Sequence, residues 1–215
     1  MKTTTRKERD AEVTREALKG AAREVFARQG FEGARTREIA ERAGANKAMI
    51  SYHFGGKGGL FTAVVLEDVI VAKENFKRAM DAAGSPSERL GAFMRAMADV
   101  VRERPTFLPL LARELISAGC HLEPHVEDEF FGIFYLIRDT LSEGIEAGEF
   151  RPVDPHATHI SLIGGLVWFG LTEPLRERTV AEGRPPAPIP TWPDYVEHMR
   201  QLMLRGLAPS REQPE

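Results

Sequence analysis

The stretch that decides the fold lies between residues 36 and 57 and reads Thr36-Arg-Glu-Ile-Ala-Glu-Arg-Ala-Gly-Ala-Asn-Lys-Ala-Met-Ile-Ser-Tyr-His-Phe-Gly-Gly-Lys57. Apolar residues recur on one helix face over about residues 36–43, and Gly44 ends that helix. Asn46 stands at an N-cap position, and another short helix follows over about residues 47–53. Two short helices joined by a sharp turn indicate a helix-turn-helix module.

The flanking sequence completes a compact three-helix module. Upstream, apolar residues at helical spacing predict a helix over about residues 10–29, which ends at Gly30. Downstream, Gly55 and Gly56 break the chain before a long helix begins near Lys57. We expect residues 1–56, with their N-terminal arm, to form one domain.

The second short helix suits the major groove of DNA, which needs small or polar side chains toward the bases and an apolar side toward a supporting helix. We expect outward positions for Lys47, Ala48, Ser51 and Tyr52, and an inward position for Met49 or Ile50. Arg37, Asn46, Tyr52, His53 and Lys57 supply groups that bind phosphates along one edge. By spacing alone, a small helical bundle with a solvated charged face is an equally good interpretation.

The motif resembles the signature of tetracycline-repressor (TetR)-type transcriptional regulators. The ordered combination of REIAERAG, YHFG and the following Lys57 carries the resemblance, which covers about residues 10–70. It implies that Tyr52, His53 and Lys57 hold phosphates. It also implies that Lys47 and Ala48 lie closest to the base edges, and that Arg37 reaches the DNA backbone or an adjacent base.

The sequence departs from the family pattern at three places. Arg35 stands where Ser or Thr is usual, so either Thr36 caps the supporting helix one residue later or Arg35 adds a phosphate contact. Ser51 replaces a frequent aromatic residue before Tyr52 and removes a bulky contact. Gly58-Gly59 follows Lys57 in place of an acidic residue, and we expect this pair to loosen the first turn of the long helix.

The remainder of the chain also reads as helical, so the expected fold class is all-α with a helical domain over residues 57–215. Helices are predicted over about 57–81, 86–101, 105–116, 124–147, 155–171 and 194–207. The starts at 86 and 155 follow the capping residues Ser85 and Asp154, each with Pro at the first helical position. Six prolines between 174 and 193 argue against a regular helix across that stretch.

A single helix-turn-helix module covers few base pairs, so a twofold dimer on a palindromic operator is expected. The glycine-rich helix over 155–171 and the last helix are the candidate interface, since glycines permit close approach and aromatic residues anchor contacts. The predicted interface residues are Gly164, Gly165, Leu166, Trp168, Phe169, Tyr195, Met199, Leu202 and Met203. Packing inside one subunit is the alternative for the same residues.

The second domain is richer in aromatic and Met side chains than the first, which suits an adaptable apolar pocket for a small effector. The candidate lining residues are Phe93, Met94, Met97, Phe107, Leu111, Phe130, Phe131, Phe134 and Tyr135. Most such residues belong to an ordinary core, so core packing is the stronger interpretation for any one of them. The resemblance implies some ligand cavity but names no ligand.

Cys120, His121 and His125 raise a different hypothesis, namely a helical metal-binding protein or enzyme. These three residues lie around one predicted loop, and no fourth ligand follows at a fixed offset. No nucleophile-and-base arrangement and no P-loop is readable from the spacing. We therefore expect neither metal, cofactor nor enzymatic activity.

The charge distribution agrees with a DNA-binding protein more than the total charge does. The net charge of -3 speaks against a nucleic-acid partner. However, residues 1–60 hold 13 basic and 8 acidic side chains, whereas the remainder holds 16 and 24. The single cysteine and the absence of a signal peptide or membrane span predict a cytoplasmic protein without disulfides.

Overall fold

The computed structural model describes residues 6–117, 119–184 and 188–209, and every regular element in these ranges is a helix. The helices are α1 (Arg6–Gly33), α2 (Thr36–Arg42), α3 (Ala48–Phe54), α4 (Lys57–Asp81), α5 (Pro86–Glu103), α6 (Phe107–Ile116), α7 (Pro124–Glu146), α8 (Pro155–Leu171), α9 (Glu173–Ala181) and α10 (Trp192–Leu207). The predicted all-α fold class is confirmed. None of these helices combines the length and apolar content that a membrane span requires.

Capping residues explain where several helices start. Ser85 accepts a hydrogen bond from the N–H of Glu88, whose carboxylate accepts the N–H of Ser85 in return, so α5 begins with the predicted capping box. Asp154 accepts the N–H of Ala157 at 2.7 Å and caps α8. Both helices begin where the sequence predicts them.

Helix α9 shows where the proline argument was too strong. Prolines do prevent one continuous helix from 174 to 193, but residues Glu173–Ala181 form a short helix within that stretch. Pro174 lies in its first turn, where a missing N–H costs nothing because that N–H would have no intrahelical partner. Pro174 is therefore compatible with the first turn of α9.

The helices divide between two compact units. The first contains residues 1–70 and 105–128, and the second contains 71–104 and 129–215. The long helices α4 and α7 each begin in the first unit and end in the second. The sequence domain boundary at residue 57 stays a prediction, and the first compact unit also takes in α6 and the start of α4.

The first unit is built around α1, which packs against α2, α3 and α6. Its core contains Leu18, Phe26, Ile39, Ile50 and Phe61, all with almost no exposed surface. The rings of Phe26 and Phe61 meet edge to face with centroids 4.9 Å apart. The three predicted helices of the module therefore share one hydrophobic core.

The second unit packs α8 and α10 against each other and both against α5. The rings of Phe76 and Phe93 lie 4.8 Å apart in its interior. Phe169 of α8 stacks on Tyr195 of α10 at 4.0 Å, and the guanidinium of Arg176 lies over the Phe169 ring. These contacts give the second unit a core of its own.

Candidate nucleic-acid interface

Helix α3 has one buried side and one exposed side. Ile50 is 1% exposed and anchors the helix in the core of the first unit. Four side chains lie on the exposed side, and we call them the reading face: Lys47, Ala48, Ser51 and Tyr52. Tyr52 is 75% exposed, so its hydroxyl is accessible to a partner molecule. The predicted outward and inward positions are both found.

Asn46 determines how α3 begins. Its Oδ1 accepts the N–H of Ala48 at 2.8 Å, so the side chain satisfies a donor of the first turn. The N-cap position itself is occupied by Lys47, one residue after the predicted cap, and Lys47 makes no side-chain cap bond. The regular helix begins at Ala48, one residue after the predicted start. A bound phosphate at this end would interact with the other N–H groups of the first turn and with the positive end of the helix dipole.

The start of α2 contradicts one of the two alternatives given for it, the cap by Thr36, and leaves the phosphate contact of Arg35 as a prediction. Arg35 occupies the N-cap position in extended conformation and makes no side-chain cap bond, and Thr36 is the first helical residue. Thr36 therefore does not cap the helix. Arg35 is exposed, and Arg37 is exposed with its Nε 2.8 Å from Oε1 of Glu41. Their contacts with DNA stay predictions.

The supporting helix α2 is fixed against α1 by charged groups. The carboxylate of Glu38 accepts hydrogen bonds from Arg28, Gln29 and Arg42. The bond from Gln29, followed by the nearby arginines, lowers the pKa of Glu38. Such surface pairs are individually weak. Two of the three donors, Arg28 and Gln29, lie on α1 and so connect it to α2, whereas Arg42 lies on α2 itself.

The three residues predicted to hold phosphates differ in exposure and in their contacts. They are Tyr52, His53 and Lys57. The Tyr52 ring is open to solvent, and the half-buried His53 ring meets it edge to face at 4.9 Å. Lys57 Nζ donates to the carbonyl oxygens of Phe31 at 2.8 Å and Ala34 at 3.4 Å. An ammonium has three N–H donors, so one remains for a phosphate.

Arg113 was missed by the sequence reasoning. It lies on α6, and its guanidinium donates to the carbonyl oxygens of Ala27 at 3.0 Å and Arg28 at 2.9 Å. These carbonyls are at the end of the main part of α1, where Gly30 breaks the helix with a φ of 73°. No sequence signal identifies Arg113, because its partners are backbone atoms 85 and 86 residues away.

Arg113 and Lys57 therefore cap the same end of α1 from two different helices. We call these four hydrogen bonds, to the carbonyls of Ala27, Arg28, Phe31 and Ala34, the α1 clasp. Cations at a helix C-terminus are favoured by both the unpaired carbonyls and the helix dipole. The clasp connects α4 and α6 to the helix on which α2 and α3 pack.

The candidate pocket residues differ in burial and are divided between the two units, and the pocket stays a prediction. Phe93, Met94 and Met97 are core residues of the second unit, whereas Phe131 and Tyr135 are exposed on α7. Phe134 is buried, Phe130 is half-buried, and Phe107 and Leu111 lie on α6 in the first unit. Next to Phe134, burial and then the charge of His156 lower the pKa of His159.

The candidate interface residues separate into two groups. Leu166, Phe169 and Met199 are buried in the second unit, and the Cα of Gly165 faces Tyr195 and Met199. These five residues, with the half-buried Tyr195 among them, pack within the subunit, which is the alternative given for them, and the dimer interface itself stays a prediction. The reason is that α8 uses one side to contact α5 and α10. Gly164, Trp168 and Leu202 are exposed, and Met203 is half-buried.

Cys120, His121 and His125 do not assemble a metal site. Within the described ranges, no group of three or more potential ligands has suitable geometry. His121 contacts carboxylates of Glu114 and Glu32, whereas His125 lies 3.6 Å from Glu123. The alternative of a metal-binding protein or enzyme is therefore not favoured.

An exposed reading helix, braced by a charged supporting helix and followed by a second helical unit, defines a transcriptional regulator of the helix-turn-helix class. Residues 20–64 match the family model described as bacterial regulatory proteins of the tetR family. Residues 83–170 match the tetracyclin repressor-like C-terminal domain. The chain belongs to the TetR family, whose members are DNA-binding regulators and not enzymes.

Individual relatives agree over most of the chain. The transcriptional regulator RutR of Escherichia coli K12 is 27% identical over 166 residues, which cover 72% of this chain and 73% of RutR. The transcriptional repressor SCO4008 of Streptomyces coelicolor is 34% identical over 178 residues, which cover 81% of this chain and 87% of SCO4008. A tetR-family regulatory protein from Rhodococcus RHA1 has the same fold, with a TM-score of 0.74 and 19% identity. The match covers 92% of this chain and 98% of the Rhodococcus chain.

Proposed function

We propose that this protein is a homodimeric repressor that binds a palindromic operator and is released from it by a small molecule. The observation that carries the proposal is the reading face, four outward side chains on a helix whose opposite side is anchored by Ile50. Relatives named as repressors, such as SCO4008, support the sign of regulation. The family and the basic first 60 residues support DNA as the partner, in a cytoplasmic setting.

The dimer is proposed to form along an exposed apolar strip of the second unit. Ile160, Gly164 and Trp168 are exposed and lie four residues apart on α8, and Leu175 of α9 is exposed as well. Ile160 and Trp168 are 67% and 71% exposed, which is costly for side chains of this size in a monomer. We call these residues, together with Leu202 of α10, the dimer ridge.

The effector is proposed to bind in the apolar interior of the second unit. Phe93, Met94 and Met97 of α5 and Phe134 of α7 supply apolar side chains, and the flexible Met residues would repack around a ligand. Because these side chains are buried, binding requires the core to open and therefore favours a second conformation. Operator release follows if that conformation changes the spacing of the two reading faces.

The α1 clasp is the proposed route by which α4 and α6 act on the reading module. A shift of either helix would move the cations that hold the end of α1, and α2 and α3 pack on α1. A difference of only a few kcal/mol between the two conformations is enough for regulation.

Selection of genomic DNA fragments by the purified protein, followed by footprinting, tests the DNA-binding function. We expect protection of two half-sites whose centres lie about 34–36 Å apart or a multiple of this distance. Failure to select any sequence above random DNA would contradict the proposal.

Variants of the reading face then test its orientation. Tyr52→Phe should weaken binding to operator and unrelated DNA alike, because it removes only a phosphate-directed hydroxyl. Lys47→Ala should alter the sequence preference, at about 1–3 kcal/mol for the affected base pair. Glu74→Ala on α4 is the control and should leave both affinities unchanged. Gel-shift titrations measure each case, and equal affinities for all variants would show that the reading face is wrongly placed.

A further inference from the structure

A groove lies on the outside of the second unit between α5 and α10. Its volume is about 310 Å³, which is near the lower limit for pockets that bind small molecules. Residues between 95 and 102 of α5 form one wall, and residues between 192 and 197 of α10 form the other. None of the lining residues belongs to the dimer ridge or to the proposed effector pocket, so the groove is a separate feature of the second unit.

Trp192 gives this groove a flat aromatic surface. Its ring meets the Phe169 ring edge to face with centroids 4.9 Å apart, and Phe169 in turn stacks on Tyr195. These contacts orient the half-buried Trp192 ring while part of it stays accessible from the groove. Ala98 and Val196 add apolar surface to the lining. A planar apolar group is therefore the shape that these side chains favour.

The two carboxylates of the groove are already paired with arginines. Arg102 donates to Asp99 at 2.9 Å. Glu197 accepts two hydrogen bonds from Arg200, at 2.7 and 2.8 Å, and these bonds together with the one from Gln201 lower the pKa of Glu197 to about 2. A neighbouring arginine therefore balances the negative charge of each carboxylate.

Arg95 is the remaining cation of the groove. Within the described ranges it makes no hydrogen bond or ion pair, and its charge acts on Glu197 only through space. Its exposed guanidinium can donate two parallel N–H bonds to a carboxylate of a ligand. Because the other charges cancel in pairs, the positive charge of Arg95 suits a monoanion, whereas a dianion such as phosphate would be repelled by Asp99 and Glu197.

We propose that this groove binds small aromatic monocarboxylates. The carboxylate of the ligand accepts hydrogen bonds from Arg95, and its ring packs on Trp192 beside Ala98 and Val196. The ligand contacts α5 and α10 at the same time. This binding site goes beyond the proposed function, because it uses neither the apolar interior of the second unit nor DNA.

A calorimetric titration with 2-naphthoate tests the role of Arg95, because this probe combines one carboxylate with a flat ring system. The Kd is measured for the wild type, Arg95→Gln and Arg178→Gln. Arg95→Gln should weaken binding at least about tenfold, because hydrogen bonds between two charged groups are lost. Arg178→Gln is the matched control, since it removes the same charge from an exposed residue of α9 that does not line the groove, and its Kd should equal that of the wild type. Wild-type affinity in Arg95→Gln would overturn the site.

Two analogues separate the contribution of the carboxylate from that of the ring. 2-Naphthalenemethanol keeps the ring and lacks the charge, whereas acetate keeps the charge and lacks the ring. Each should bind the wild type at least about tenfold more weakly than 2-naphthoate. An alcohol that binds as tightly as 2-naphthoate would overturn the selection of a carboxylate, and acetate of equal affinity would overturn the selection of an aromatic ligand.

The two tryptophans of the chain locate the bound probe. Their indole N–H groups give two NMR signals, and the signal missing in Trp192→Leu identifies that of Trp192. We expect 2-naphthoate to shift the Trp192 signal and to leave that of Trp168 in place. Because the ring packs on Trp192, Trp192→Leu should also bind the probe at least about threefold more weakly.

An unshifted Trp192 signal would show that the probe binds elsewhere and would overturn the groove as its site. Circular dichroism verifies that each variant is folded. None of these measurements involves DNA, so failure of the groove is distinguishable from failure of the proposed function.

Discussion

At the scale of single residues, the joint between α3 and α4 depends on Gly59. The sequence led us to expect that Gly58-Gly59 loosens this turn. A Cβ on Gly59 would lie 1.9 Å from the carbonyl oxygen of Phe54, so the two backbones approach too closely for any side chain. We predict that Gly59→Ala lowers the free energy of unfolding by about 1–3 kcal/mol, as overpacking does. The free energy of unfolding is measured by urea titration, with circular dichroism as the signal.

The neighbouring glycine is the control for this prediction. A Cβ on Gly58 would meet nothing within 4 Å, and the position is helical. Gly58→Ala should therefore raise the free energy of unfolding by about 0.5–1 kcal/mol, because alanine loses less conformational freedom in a helix. A similar destabilisation by both substitutions would mean that the joint tolerates neither side chain and that the close contact at Gly59 is not the cause.

At the scale of elements, the end of α1 depends on cations from other helices. Arg113→Met keeps much of the side-chain length but removes the hydrogen bonds to Ala27 and Arg28. We expect a loss of about 1–3 kcal/mol in the free energy of unfolding, because charged donors to buried or half-buried carbonyls contribute more than neutral ones. Operator affinity should fall as well, since α2 and α3 pack on α1.

Arg102→Met on α5 is the matched substitution for Arg113→Met. Arg102 pairs with Asp99 at 2.9 Å on an exposed surface, where ion pairs contribute about 0–1 kcal/mol. Stability and operator affinity should both stay near those of the wild type. If the two variants behaved alike in urea unfolding and in gel shifts, the α1 clasp would have no special role.

At the scale of the whole molecule, the dimer ridge is the feature to test. Trp168→Glu places a charge on an exposed position, so the subunit should stay folded while the dimer dissociates. Light scattering after size-exclusion chromatography should then give about 24 kDa instead of twice that mass. Val13→Glu, which changes an equally exposed apolar residue on α1, should leave the dimer intact. A dimeric Trp168→Glu protein would contradict the assignment.

The sequence predicted most of the fold because helix periodicity and caps are local signals. Each local signal depends on residues within one or two helical turns. Examples are the capping box at Ser85, the N-cap at Asp154 and the helical spacing of apolar residues around Ile50. The short helix α9 was missed because a run of prolines also reads as an irregular segment. The sequence left open which candidate interface residues belong to the subunit's own core, because a hydrophobic stripe does not say which of its sides meets that core.

The sequence by itself determined the all-α class, the helix-turn-helix module and the outward side chains of α3. The all-α class and the outward side chains follow from residue spacing over at most a few turns. The TetR-type motif is what favours the helix-turn-helix module over a plain helical bundle, and it also adds the functional class. Only the tertiary structure decided that Arg113 and Lys57 cap α1, that Leu166 and Phe169 are core, and that His121 lies between Glu114 and Glu32. Those contacts join residues far apart in the chain, and several end on backbone carbonyls, which carry no side-chain signal.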